Sequence, residues 1–175
     1  DLPFVQLPTT PISRGSRTLV YSLSIQSREG APIAELARAY DPAWVDGWLR
    51  VIWADMDAFL VERGVSNEDC RSAWNVNLFI IERARMREPD RFLAFKRAAN
   101  MLDYTIIAFY DPTPEVAGEQ SILLAVSSSW NNAFSLAHEF AHYWTDRTCL
   151  LSSFGGGAEQ FAQEFENYFR THGGR

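Results

Sequence analysis

Within Ser135-Leu136-Ala137-His138-Glu139-Phe140-Ala141-His142-Tyr143-Trp144, two histidines stand four residues apart, with a glutamate directly after the first. On a helix this spacing stacks the imidazoles one turn apart, where both reach a single divalent ion at about 2.0–2.1 Å. The glutamate is rotated off the metal direction and is suited to take a proton from a water. At about 100° per residue, Ser135, His138, Glu139 and His142 share one arc of about 100°. The other positions from Phe134 to Trp144 are apolar or aromatic. A helix apolar over most of its circumference is largely buried, so its polar strip should face an internal cleft. Two imidazoles and a carboxylate there cost free energy unless something satisfies them, and a divalent metal does.

Two imidazoles leave a zinc ion under-coordinated, so a third protein ligand is required. The extended form H-E-x-x-H-x-x-G-x-x-H is excluded, because Thr145 and Thr148 occupy its Gly and last His positions. The remaining source is a glutamate on a following helix. Segment 155–169 has an apolar stripe of Ala158, Phe161, Ala162, Phe165, Tyr168 and Phe169. Glu159 and Glu166 border one edge of that stripe and Glu164 the other. Glu159 lies 17 residues after His142, in the first turn of this helix, close to the loop that reverses the chain. Glu166 lies two turns further on, about 10 Å away. Glu159 is therefore the expected ligand over Glu164, Glu166 and His172. The expected site is one Zn²⁺ per chain on His138, His142 and Glu159, with Glu139 as general base. Tyr143, Tyr168 and His172 are unranked candidates for an oxyanion donor.

The elements that must hold these residues follow from periodicity. Residues 1–16 carry three prolines and little periodicity, an extended N-terminal arm ahead of one domain over 17–175. Residues 17–26 alternate as a strand. Asp41-Pro42 opens a Trp-rich helix to about Arg63, whose Trp44, Val45, Trp48, Leu49, Ile52, Met56 and Phe59 fall at helical spacing and belong to the core. A helix is expected from Ser66 to about Met86, with 75–81 readable as a strand, and another over 88–102. Residues 104–111 and 121–128 are apolar, β-rich strands. Two helices follow, over about 131–146 and 157–170, joined through the Gly155-Gly156-Gly157 turn. The fold class is α+β: a small sheet with the two-histidine helix and a following glutamate helix.

With 175 residues, 47% of them hydrophobic, the chain is long enough for one sizeable core. A net charge of −6 argues against a general nucleic-acid binder, which needs clustered Lys and Arg on phosphates. The arginines between Arg83 and Arg97 are interleaved with Glu82, Glu88 and Asp90, the pattern of a solvated face. No apolar run reaches the roughly 18–20 residues that span a membrane. Cys70 and Cys149 lack the C-x-x-C spacing of a structural zinc site. They are either two buried thiols, which fits the cytoplasm, or one bridge, which implies a secreted or periplasmic home. The chain begins Asp1-Leu2-Pro3, as expected of a processed form or a module from a larger polypeptide.

Residues 121–144, with Phe134-x-x-Ala137-His138-Glu139 running into His142, resemble the ImmA/IrrE family of H-E-x-x-H metallopeptidases. Glu159-x-x-Ala162-x-x-Phe165 is similar to that family's segment on the next helix, and residues 98–111 to the helix and strand before the motif. The resemblance covers about residues 98–169. It implies a zincin-like fold of gluzincin type and a zinc endopeptidase acting on a protein or peptide. The strand at 121–128 is the expected place for an extended peptide to add. The competing reading is a metal-binding regulator that uses the same fold for partner recognition. Glu139 speaks against it, since a purely structural site has no need of a base.

Overall fold

The computed structural model describes residues 5–26, 42–71, 73–82, 108–111, 120–126 and 132–172. Among these the chain is α+β. The elements are β1 (Val5–Leu7), β2 (Ile12–Arg14), β3 (Arg17–Gln26), α1 (Pro42–Arg63), β4 (Asn75–Glu82), β5 (Ala108–Asp111), β6 (Ser121–Val126), α2 (Asn132–Arg147), α3 (Leu151–Phe154) and α4 (Ala158–His172).

The strands form a mixed sheet in the order β1-β3-β4-β6-β5, with β2 paired to β3 off this path. Its centre is parallel: β3 runs alongside β4 from Val20↔Asn75 to Gln26↔Ile81, and β4 alongside β6 from Asn77↔Ser121 to Glu82↔Val126. The outer strands β1 and β5 are antiparallel to their neighbours. Period-2 patterning drives β3: Leu19, Tyr21, Leu23 and Ile25 are all buried and join one core with Val76, Leu78 and Ile80 of β4 and Ile122 and Leu124 of β6.

Two sequence expectations are corrected. Among the described residues the helix expected over 66–86 is not formed, because 64–71 and 73–74 are loop and 75–82 is β4. An inner parallel strand has the near-continuous apolar run that periodicity alone does not separate from a buried helix. Within the strand expected at 121–128, the described residues 121–126 do not offer a free edge either. β6 is paired on one side to β4 and on the other to β5, so among the described residues the outer strand on this side of the sheet is β5. The helix read over 88–102 and the start of the strand at 104–107 lie outside the described residues.

The helix α1 follows the Trp-rich periodicity, burying Val45, Leu49, Ile52, Trp53, Met56, Phe59 and Leu60. Trp44 and Trp48 are only partly buried, and Trp48 meets the Phe169 ring edge-on at 6.0 Å. Trp53, Trp74 and Trp144 pack together, with the Arg17 guanidinium 4.7 Å over Trp74 and 5.3 Å over Trp144. This cluster seats the C-terminal half of α2 on the sheet.

The turn between α2 and α4 is tied down from the side. Residues 68–71 pair with 147–149: the Cys70 amide donates to the Arg147 carbonyl, and the Cys149 amide to that of Glu68. Cys70 and Cys149 are joined as a disulfide with Cα atoms 5.3 Å apart. The Ser66 amide donates to the Ser153 hydroxyl in α3. Gly155 then turns the chain in the left-handed region at φ 81°, which a side chain rarely adopts. At Gly156 a Cβ would lie 2.6 Å from the Gln160 side chain and 2.9 Å from the Phe154 ring. The turn is thus built for glycine, and it delivers Glu159 at the start of α4.

Candidate metal centre

Helix α2 is apolar nearly all round. Leu136, Ala137, Phe140, Ala141, Tyr143 and Trp144 are all fully buried, and Glu139 is 7% exposed. Helix α4 packs antiparallel against it, so partners advance along α4 as they retreat along α2. Glu159 meets His142, Glu166 meets His138, and Phe169 and Arg170 meet Phe134.

One Glu159 carboxylate oxygen lies 3.0 Å from His138 Nε2 and the other 2.8 Å from His142 Nε2. Ligand atoms of His138, His142 and Glu159 all fall within 4.8 Å of one another, so this group can hold a metal ion. His138 and His142 side chains are 13% and 19% exposed, whereas Glu159 is 74% exposed and closes the cleft from outside.

The donor chemistry fits a cation. Glu166 Oε1 lies 3.0 Å from His138 Nδ1, where an N–H donating to the carboxylate is the favourable tautomer. The lone pair then falls on Nε2, facing Glu159. A lone pair against a carboxylate oxygen at 3.0 Å is repulsive unless a positive charge lies between them. At His142, whose Nε2 lies 2.8 Å from the other Glu159 oxygen, burial pushes the imidazole below its ordinary pKa against the pull of Glu159, which disfavours a proton as the bridging charge there. A divalent ion meets both demands, because its ligands are neutral imidazoles and an ionised carboxylate.

Glu139 sits beside this group, buried and bonded to β5 through the backbone amide of Tyr110, which donates to its carboxylate. Burial, and then the nearby charges of Glu159 and Glu166, push its pKa up to about 8, while the Tyr110 amide opposes the rise. A carboxyl held in that range near an electrophile can both accept and return a proton near neutral pH.

The other glutamates separate by helix phase. Glu164 is about 140° from Glu159 around α4 and pairs instead with Arg63 of α1 at 2.6 Å. Glu166 is about 20° from Glu159 and stays on the site face. It takes the second nitrogen of His138 and is held in turn by Arg170, whose Nε lies 2.8 Å from Oε2. From sequence Glu166 reads as a rival ligand, and its shared edge with Glu159 puts it within reach of the same histidines.

The three oxyanion candidates lie elsewhere. The Tyr143 hydroxyl donates to the Asn75 carbonyl in the core. Tyr168 and His172 lie about 180° and 140° around α4 from Glu159. There they stack on each other at 4.0 Å, with Tyr168 also against Phe59 of α1. Tyr110, by contrast, carries no motif in the sequence and lies at the centre. Its ring stacks on the His142 imidazole at 6.5 Å and 5°, and its hydroxyl donates to Asp146 Oδ2 at 2.8 Å. No protein family, curated protein or solved structure gives a significant match to this chain.

Proposed function

We propose that the chain is a zinc-dependent endopeptidase of gluzincin type within a zincin-like fold, as the likeness of residues 98–169 to the ImmA/IrrE family suggests. The observation that carries the reading is the His138, His142 and Glu159 donor set with a buried carboxyl, Glu139, directly beside it. Zinc suits two imidazoles and one carboxylate, with a position left open. When bound, it supplies Lewis acidity toward a water and toward the scissile carbonyl.

The remaining work falls to side chains of the protein. Glu139 takes the proton of the attacking water and returns it to the departing amine. Its raised pKa suits the return, and the Tyr110 amide suits the ionised form that starts the cycle. Glu166 fixes the His138 ring. A peptide substrate is favoured by the outer strand: β5 packs on α2 with Tyr110 beside Glu139, and among the described residues its far side carries no further strand. An extended chain added there would run past the base. The Cys70–Cys149 disulfide favours an oxidising compartment, secreted or periplasmic, and no described helix is long and apolar enough to cross a membrane.

The test pairs metal analysis with cleavage-site profiling on denatured proteome digests. Close to one zinc per chain is expected, with new termini that vanish in Glu139→Gln. Zinc without any cleavage would leave a metal-binding recognition domain, and absence of zinc would end both readings.

A further inference from the structure

Tyr110 touches three parts of the centre at once. Its backbone amide donates to the Glu139 carboxylate, its ring lies parallel to the His142 imidazole, and its hydroxyl reaches Asp146 one turn beyond His142. Glu139 and Asp146 are seven residues apart on α2, so these contacts span about two helical turns of one face. Asp146 is also approached by Arg71 and Arg147, each at 3.7 Å. It is therefore an anchored acceptor.

The strand that carries Tyr110 is a weak element by itself. β5 is four residues long and, among the described residues, lies at the sheet edge, paired on one side to β6. Nothing in that pairing fixes how closely its Tyr110 amide approaches α2. The hydroxyl bond to Asp146 does, because it ties the same residue to the helix at a second point.

We infer that Tyr110 and Asp146 form a positioning tie that holds the edge strand on the metal helix and, through the Tyr110 amide, sets the place of Glu139. Tyr110 acts through Glu139 and is a positioning residue. The inference rests on the peptidase reading for its catalytic consequence, while the tie itself is measurable without it.

Amide hydrogen exchange by NMR reads the tie directly. The Tyr110 amide should be protected in the zinc-loaded protein. Tyr110→Phe removes only the hydroxyl, keeps ring and amide, and should speed exchange at residue 110 by about tenfold, the scale of losing a bond to a charged acceptor. Asp146→Ala should do the same, and the double variant should be no worse than either single one. Asp146→Asn keeps an acceptor for the hydroxyl and should stay near wild type. The amides of Ile122 and Leu124 in β6 should not change. On a fluorogenic casein, Tyr110→Phe should lower kcat with KM unchanged, zinc content being retained. Unchanged exchange at residue 110 in both Tyr110→Phe and Asp146→Ala would overturn the tie. So would equal acceleration across β5 and β6, which would mean general loosening. The expected exchange pattern in a protein that cleaves nothing would uphold the tie and refute the peptidase reading.

Discussion

Replacing Glu139 by glutamine should stabilise the metal-free protein at alkaline pH and remove the proposed peptidase activity. The carboxyl is 7% exposed, and its pKa stands at about 8 in the fold against an ordinary 4.5. A raised pKa in the folded state means the native form holds a proton that the unfolded chain has released. Below about pH 4.5 both states are protonated and Glu139 has no pH-dependent effect. Between about 4.5 and 8 the folded state binds more protons, so stability falls as pH rises, and above about 8 the full penalty is present. Each pH unit of displacement corresponds to about 1.4 kcal/mol, giving a ceiling of about 5 kcal/mol. Entry of water on local opening brings the expected value to about 2–4 kcal/mol. Glutamine keeps the shape, accepts the Tyr110 amide and carries no charge. Urea unfolding of chelator-stripped wild type and Glu139→Gln at pH 5 and pH 8.5 measures the effect, provided the two m-values agree. The advantage of Glu139→Gln should be larger at pH 8.5 than at pH 5 by about 2–4 kcal/mol. Saturating zinc should shrink it, since a nearby cation favours the carboxylate. An advantage identical at the two pH values, or greater at pH 5, would refute the assignment of Glu139 as a buried group destabilised by its own ionisation. In activity assays the same variant should lose roughly 10²–10⁴-fold.

The proposed metal site yields further expectations. His138→Ala, His142→Ala and Glu159→Ala should each abolish stoichiometric zinc in elemental analysis, and Glu164→Ala, on the α1 side of α4, should not. Glu166→Ala should weaken zinc by about 10–100-fold in chelator competition, with Glu166→Gln in between, because the carboxylate both orients His138 and strengthens it as a donor. Acidification through the histidine range should release the metal, since only neutral imidazole ligates, and dialysis followed by metal analysis would show it. The denatured, unreduced protein should titrate no free thiols. Cys70→Ser/Cys149→Ser should melt about 5–15 °C lower, because the bridge spans 79 residues of sequence and constrains the unfolded chain.

What could be read from the sequence was what the local period controls. The alternation of 17–26 became β3 with the same bounds, and the apolar spacing after Pro42 became a helix ending at Arg63. The two-histidine spacing and the position of Glu159 are also local, each fixed by one helix and one short loop. Tyr168 and His172 face α1 for the same reason that Glu166 faces His138, and a wheel centred on Glu159 separates them. The errors came where position depends on strand order. No local pattern in 75–82 distinguishes an inner parallel strand from a buried helix, and none in 121–126 says that another strand covers its edge. That covering strand, β5, lies ten residues earlier in sequence, and its antiparallel return along β6 puts Tyr110 opposite Ile122. Only then does a tyrosine 28 residues before the first histidine come to lie across α2. The His138, His142 and Glu159 group can therefore be found from spacing alone, whereas the place of Tyr110 beside Glu139 is found only once the sheet is assembled.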